Sequence, residues 1–200
     1  MTSPTLFDPA PAAPGPAPPA GTGPRPLVIG LDLSLTSTGV AGVDWAEVLR
    51  SKHKGHRRLS WLRMEIYDRT KSADLVVVEG PSYGHGAQAG HHELGGLWWM
   101  ITHDLWRRNL PYAVCPPKVR AVYATGDGNA NKGKVRDGVR TWFGVDCDGG
   151  ASARYDKADA VTMACLGAHW LGYPVAEMPA THTRALDSVA WPETTPAVAR

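Results

Sequence analysis

The stretch DLVVVE, from Asp74 to Glu79, decides the fold of this 200-residue chain. Its apolar residues follow one another without polar alternation, which is typical of a strand that is covered on both faces. A Gly-rich loop, a helical pattern from His92 to Arg108 and a strand pattern from Tyr112 to Cys115 come after it. Because strand, helix and strand in this order favour parallel pairing, the stretch predicts the central strand of an α/β sheet.

The residues before this strand predict an antiparallel hairpin. An apolar run from Leu27 to Asp32 and a second from Thr38 to Val43 are separated by a polar turn, and a short third strand is predicted at Glu47 to Leu49. Helical spacing of apolar residues predicts three further helices, at residues 56–70, 132–142 and 157–170. The sequence therefore predicts an α/β fold with a mixed central sheet flanked by helices.

Composition limits the class of protein more than it defines function. An apolar fraction of 43% with 20% charged residues is typical of a soluble globular domain, and the net charge of +2 is too small to argue for nucleic acid binding. Three widely separated cysteines, Cys115, Cys147 and Cys165, indicate neither a disulfide framework nor a zinc site. No secretion signal and no long apolar stretch occur, so we expect a cytoplasmic protein.

Three regions differ in composition. Residues 1–26 are dominated by Pro, Ala and Gly, which predicts a disordered arm, although its proline stretches could also dock a partner. Residues 27–173 hold all the predicted strands and helices and form the expected domain. Residues 174–200 lack regular periodicity and are predicted to be an irregular tail, in which Leu186, Val189 and Trp191 could pack back on the domain.

Four carboxylates stand where the predicted elements place functional groups. Asp32 and Glu79 each end a predicted strand, and Asp156 and Asp159 lie one turn apart near the start of a predicted helix. Taken singly, Asp32 could be a turn residue and Asp156 a helix cap. Together the four indicate a site for two divalent metal ions, the arrangement that cleaves phosphodiesters by clamping the attacking and leaving oxygens.

These residues resemble the motifs of the RuvC-type Holliday junction resolvases, particularly the shorter forms carried by bacteriophages. The similarity spans about Leu27 to Gly172: IGLDLSLTSTGVA resembles the family's opening hairpin, DLVVVEGPSYG its second catalytic strand and DKADAVTMA its closing helix. The resemblance implies an RNase H-like fold, with Asp32, Glu79, Asp156 and Asp159 as catalytic ligands of two Mg²⁺ ions that Mn²⁺ can replace, and a product that carries a 5′-phosphate. A phage-encoded form would act in the host cytoplasm.

The stretch PPKVRAVYATGDGNANKGKV resembles the Lys-bearing segment of the same family. This implies that Lys118 and Lys132 approach the cut phosphate or the neighbouring backbone, with Lys132 also catalytic. Arg120 and Lys134 are expected either to position the DNA backbone or to lie on a solvated face. Tyr83 is the candidate for an aromatic residue that presses into the junction centre, or else a packing anchor in its loop.

The predicted function is a structure-selective DNA endonuclease that resolves four-way junctions by paired cuts, a task that suits a homodimer. The helix from His92 to Arg108 is the candidate interface, because Trp99 and Trp106 fall outside its apolar core stripe, although core packing explains these residues as well. The four acids equally allow a nuclease of the same fold that acts on forks, flaps or RNA:DNA hybrids. A non-catalytic junction-binding protein would not need all four.

Two other patterns indicate competing chemistry. Gly128 to Lys134 satisfies GxxxxGK but lacks the following Ser or Thr and a preceding buried strand, so no nucleotide cofactor is expected. A kinase-like ATPase would share the opening hairpin, yet such proteins usually contain a second similar lobe, and the hairpin is not repeated. His85, His91 and His92 could bind a transition metal, but no Cys or fixed helical His pair supports this.

Overall fold

The computed structural model describes residues 24–81, 90–150 and 152–193. Five strands in these ranges form one mixed sheet: β1 Val28–Asp32, β2 Thr38–Ala41, β3 Ala46–Leu49, β4 Leu75–Glu79 and β5 Tyr112–Cys115. Their order in the sheet is β3-β2-β1-β4-β5, with β1 to β3 antiparallel in succession and β4 and β5 parallel to β1. The mixed sheet is thus confirmed. The predicted central strand, β4, is however not the central one: β1 is in the middle of the sheet, and β4 lies next to it.

Helices cover both faces of the sheet. In the described part of the chain the helices are α1 Gly55–Thr70, α2 His91–Arg107, α3 Pro117–Thr125, α4 Lys132–Phe143, α5 Ala153–Trp170 and α6 Ala180–Thr183. On one face, α1 and α2 bury Leu62, Ile66 and Leu97 against β1 and β4. On the other face, α5 packs on the sheet, and residues of α3 and α4 pack against α5 to form a second apolar cluster. None of the helices in the described ranges is long and apolar enough to cross a membrane.

Helix α3 was not predicted, because Pro116 and Pro117 indicate only the end of β5. Pro117 is instead the first residue of the helix, a position that suits proline because the missing N–H has no partner there and φ is already helical. Helix α5 also begins four residues earlier than its apolar spacing predicts, at Ala153. Both differences matter for the site, since α3 and the first turns of α5 carry residues that lie there.

The segment after Pro174 is more regular than its composition predicts. It forms α6 and a 3₁₀ turn at Arg184–Ser188, and Ala190 pairs with Val114 at the edge of the sheet. As the sequence suggested, Val189 is buried, and the indole of Trp191 stacks on Trp170 with ring centroids 4.6 Å apart. Residues 174–193 therefore cover the β5 side of the domain. Of the predicted disordered arm, residues 1–23 lie outside the described residues.

Glycines let α5 lie directly on the sheet. A Cβ on Gly30 of β1 would overlap the carbonyl oxygen of Ala160, and one on Gly39 of β2 would overlap the carbonyl oxygen of Asp156. Gly167 makes a similar approach to Val77 farther along the helix. These contacts fix the depth and the axial position of α5 above β1, and with them the position of the acids near its start.

Candidate active site

Two of the four acids end neighbouring strands. β1 and β4 pair in parallel through Leu31 and Val78, so Asp32 and Glu79, the next residue on each strand, lie side by side at the carboxyl edge of the sheet. The backbone carbonyl of Glu79 accepts a hydrogen bond of 3.0 Å from the Trp98 indole of α2. This edge is where α/β proteins commonly place their functional sites, because loops and helix ends converge there.

Helix α5 brings the other two acids to the same edge. Asp156 and Asp159 lie one turn apart, and the register of β2 places Gly39, which contacts the Asp156 backbone, opposite Asp32. Asp159 is only 2% exposed, and Asp156 and Asp32 are also buried. The structure therefore gathers the four sequence-predicted acids from three separate elements.

A cleft of about 690 Å³ opens over this edge. Asp32, Glu79 and Asp159 line it, and Asp156 does not. Lys132, the first residue of α4, contributes a cation to the rim, while α2 supplies one wall. The remaining lining side chains are Leu33, Pro81, His91, Leu94, Trp98, Pro117 and Arg120.

Arg120 lies among the acids and is only 9% exposed. One guanidinium nitrogen, Nη1, forms an ion pair with Asp159 Oδ2, and Nη2 lies 3.5 Å from Glu79 Oε1. The solvated-face alternative for this residue is therefore wrong. Its guanidinium supplies a fixed positive charge inside a buried group of carboxylates, where an unpaired charge would be costly.

Burial and crowding raise the pKa values of two of the acids, Asp32 and Asp159. Desolvation raises the pKa of Asp32 well above its ordinary value, and the neighbouring charge of Glu79, which also hydrogen-bonds to it, raises it further. Desolvation raises the pKa of Asp159 to about 6, even though the charge of Arg120 opposes the shift. Arg120 therefore compensates the negative charge of the cluster only in part.

The cluster has the donor chemistry of a divalent metal site but not yet its geometry. Asp156 Oδ2 and Asp159 Oδ1 are buried without a hydrogen-bond partner, and hard carboxylate oxygens are the ligands that Mg²⁺ prefers. Among the described residues, no three His, Cys, Asp or Glu side chains converge closely enough to hold an ion. The guanidinium of Arg120 stands between Glu79 and Asp159, where such a convergence would form.

The other predicted site residues lie at different distances from the acids. Lys132 is exposed at the cleft, close enough for its charge to lower the pKa of Asp159. Lys118 and Lys134 are exposed, and neither forms an ion pair with a described residue. The GxxxxGK segment connects α3 to α4 and follows no strand, unlike a nucleotide-binding loop. Tyr83 and His85 lie outside the described residues.

Sequence reasoning missed two contributions to the site. The helical spacing of α2 puts Trp98 with its core residues, but its indole also fixes the end of β4 at Glu79. Arg120 was assigned to DNA because α3 was not recognised. A helix starting at Pro117 would have placed Arg120 one turn inside it, beside Pro117 and facing the strand ends.

The fold and the acids at its carboxyl edge define an RNase H-like α/β domain. RuvC of Thermus thermophilus shares this fold: its structure matches with a TM-score of 0.54 at 20% identity, over 69% of this chain and 90% of that one. The same protein in complex with a Holliday junction substrate matches with a TM-score of 0.54 at 19% identity, over 70% and 90% of the two chains.

The yeast mitochondrial Holliday junction resolvase Ydc2 matches with a TM-score of 0.48 at 15% identity, over 82% of each chain. No protein-family model and no curated protein matches this chain. At such low identities the likeness to RuvC establishes the fold of this chain, which confirms the predicted RNase H-like architecture.

Proposed function

We propose that this chain is a Mg²⁺-dependent endonuclease that nicks branched DNA and resolves four-way junctions by paired, symmetric cuts. The observation that carries the proposal is the group of four acids at the carboxyl edge of an RNase H-like sheet, of which Asp32, Asp156 and Asp159 are buried and Glu79 is half-buried. A RuvC of the same fold has been solved with a Holliday junction substrate, which favours branched DNA as the substrate here.

In this proposal the four acids hold two Mg²⁺ ions, for which Mn²⁺ substitutes. When bound, the ions activate water for attack on a phosphodiester and neutralise charge on the phosphate. The buried oxygens of Asp156 and Asp159 that have no hydrogen-bond partner would be available as metal ligands. Arg120 gives up its contact with Glu79 or Asp159 when the acids converge, and its guanidinium then remains beside the phosphate as a fixed cation.

The lysines bind the DNA backbone in this scheme. Lys132 faces the cleft from the start of α4 and holds the phosphate next to the acids, so we assign it a catalytic role. Lys118 and Lys134, exposed on α3 and α4, contact neighbouring phosphates. Tyr83, between β4 and α2, is proposed to contact the bases at the junction centre.

A homodimer supplies two such sites, as the near two-fold symmetry of a four-way junction requires. We propose α2 as its interface. Trp99 and Trp106 on this helix are 67% and 65% exposed, and nothing in the described structure lies near Gly95 or Gly96 to prevent close approach of a second helix.

A panel of DNA substrates tests the proposal. We expect cleavage in Mg²⁺ of an immobile four-way junction at least tenfold faster than cleavage of a fork, a flap, an RNA:DNA hybrid or a linear duplex. Asp32→Asn should lower the rate by two or more orders of magnitude, because it removes a metal ligand, while junction binding measured in EDTA stays within about twofold of wild type.

The metal site, the substrate and the nuclease activity can each be contradicted by a different result. Near wild-type cleavage by Asp32→Asn would show that the acids do not form the metal site. Preferential cleavage of forks, flaps or hybrids would keep the nuclease but reject the junction as its substrate. Junction binding by the wild type with no cleavage of any substrate would point to a non-catalytic binding protein.

A further inference from the structure

A second cationic surface follows β3. Arg50, Lys52, Lys54 and Arg57 are all exposed, together with His53 and His56 between them. No Asp or Glu occurs in the sequence between Glu47 and Glu65. The local charge is therefore strongly positive in a chain whose net charge is only +2.

These four cations differ from the arginines farther along α1. Arg58 pairs with Glu93, Arg63 with Asp104 at 2.8 Å, and Arg69 with Glu65 at 2.7 Å. These ion pairs give each of the three arginines a role in the folded structure. By contrast, Arg50, Lys52, Lys54 and Arg57 form no ion pair with any described residue. Folding gives no reason for their concentration here.

Strand register places this surface at the edge that holds the acids. Leu49, the last residue of β3, pairs with Thr38, and the adjacent Gly39 pairs with Asp32. Two strand spacings therefore separate the end of β3 from Asp32, a distance of roughly 10 Å. The first turn of α1 lies at the same edge, because Arg58 pairs with Glu93 in the first turn of α2, next to the cleft residue His91.

A shallow groove of about 410 Å³ accompanies the cations. His53, His56, Arg57 and Ser60 contribute polar atoms to it, and Trp61 and Met64 form its apolar part. Cations and hydroxyls beside an apolar surface suit a sugar–phosphate backbone, which offers charged oxygens on one side and deoxyribose carbons on the other.

We propose that Arg50, Lys52, Lys54 and Arg57 form a second DNA-contact surface, which binds the phosphate backbone of a duplex arm at a distance from the cut phosphate. The inference rests on the proposed function, because it extends the DNA path from the acids across β3. Contacts of this kind depend on the charge and spacing of the phosphates and not on base sequence. The surface therefore increases the affinity for DNA and orients the arm.

The test compares two double variants of the full chain that remove equal charge. Lys52→Gln/Lys54→Gln alters the proposed surface. Lys71→Gln/Arg140→Gln is the matched control, because these exposed residues lie just after α1 and in the last turn of α4, at the ends far from the cleft. Dissociation constants for a four-way junction are measured in EDTA over a range of salt concentrations, so that the result does not depend on cleavage.

We expect Lys52→Gln/Lys54→Gln to weaken binding about tenfold at low salt and to reduce the slope of log affinity against log salt by about 2, since each phosphate contact contributes about 0.9 to that slope. The control should change the slope by less than about 0.5. Equal slopes for the two variants would overturn the inference and leave the nuclease proposal standing. The nuclease proposal fails separately, through the cleavage panel.

Discussion

At the scale of the residue, the site stores more negative charge than it neutralises. Glu79 lies beside Asp32, and Arg120 pairs with Asp159 and contacts Glu79, so one guanidinium faces three carboxylates, two of them buried. Such crowding is costly to the folded chain in the absence of a second cation, and a bound metal ion, as proposed above, would relieve that cost. The same feature therefore lowers stability and favours ligand binding.

Asp32→Asn should stabilise the metal-free protein at pH 8, because it removes a carboxylate whose charged form is disfavoured by burial and by the charge of Glu79. Because the folded pKa of Asp32 is raised, the unfolded chain loses this proton first, and the wild type loses stability as pH rises from about 4 through the folded pKa. The variant lacks that loss.

Thermal unfolding in EDTA at pH 4 and pH 8 measures the effect. The difference between Asp32→Asn and wild type should be small at pH 4, close to the pKa of Asp32 in the unfolded chain, and largest at pH 8. A variant that is less stable than wild type at pH 8, or a difference independent of pH, would contradict the charge argument.

At the scale of the element, the sequence predicted what periodicity and strand ends reveal. The apolar run at β4, the hairpin before it and the acids at Asp32 and Glu79 follow from local pattern alone. Helix α3 could not be predicted in this way, because a proline after a strand can either end regular structure or begin a helix. The choice depends on long-range contacts such as that of Arg120 with Asp159, which the local sequence does not show. The covering of the β5 edge by residues 174–193 depends on long-range packing that no local pattern encodes.

The contact of α5 with the sheet gives an element-scale prediction. Gly30→Ala should lower the free energy of unfolding by about 1 to 3 kcal/mol, because the new methyl group overlaps the Ala160 carbonyl and would lie 2.8 Å from the Ala164 nitrogen. It should also lower nuclease activity, since displacement of α5 moves Asp156 and Asp159 away from Asp32.

Gly150→Ala is the matched control, because among the described residues, its chain neighbours aside, no atom lies within 4 Å of the added methyl group. Urea denaturation gives the stability of both variants, and cleavage of a four-way junction in Mg²⁺ gives the activity. If Gly30→Ala unfolded at the wild-type urea concentration, α5 would have to lie farther from β1 than the structure places it.

In the assembly of the whole molecule, helix α2 matters because one of its faces is buried in the core and the other is exposed. Leu97, Ile101 and Leu105 are buried in the core, whereas Trp99 and Trp106 project from the other side. The exposed residues His92, Gly95, Trp99, His103 and Trp106 recur at intervals of three and four, the spacing at which two helices meet along a seam. Gly95 also lines the cleft, so an interface along this seam would adjoin the acids.

The seam predicts that Trp99→Glu converts a dimer into a monomer, because association would bury the new carboxylate without a partner. Trp45→Glu is the control: it makes the same change on the turn between β2 and β3 and should leave the dimer intact. Sedimentation velocity at micromolar concentration distinguishes the two. On a supercoiled plasmid with an extruded cruciform, the wild type should make both cuts within the lifetime of one complex and release linear DNA, while Trp99→Glu should release singly nicked circles. A wild-type protein that sediments as a monomer with junction bound, and makes single uncoordinated nicks, would reject paired resolution and favour a fork or flap nuclease with the same acids.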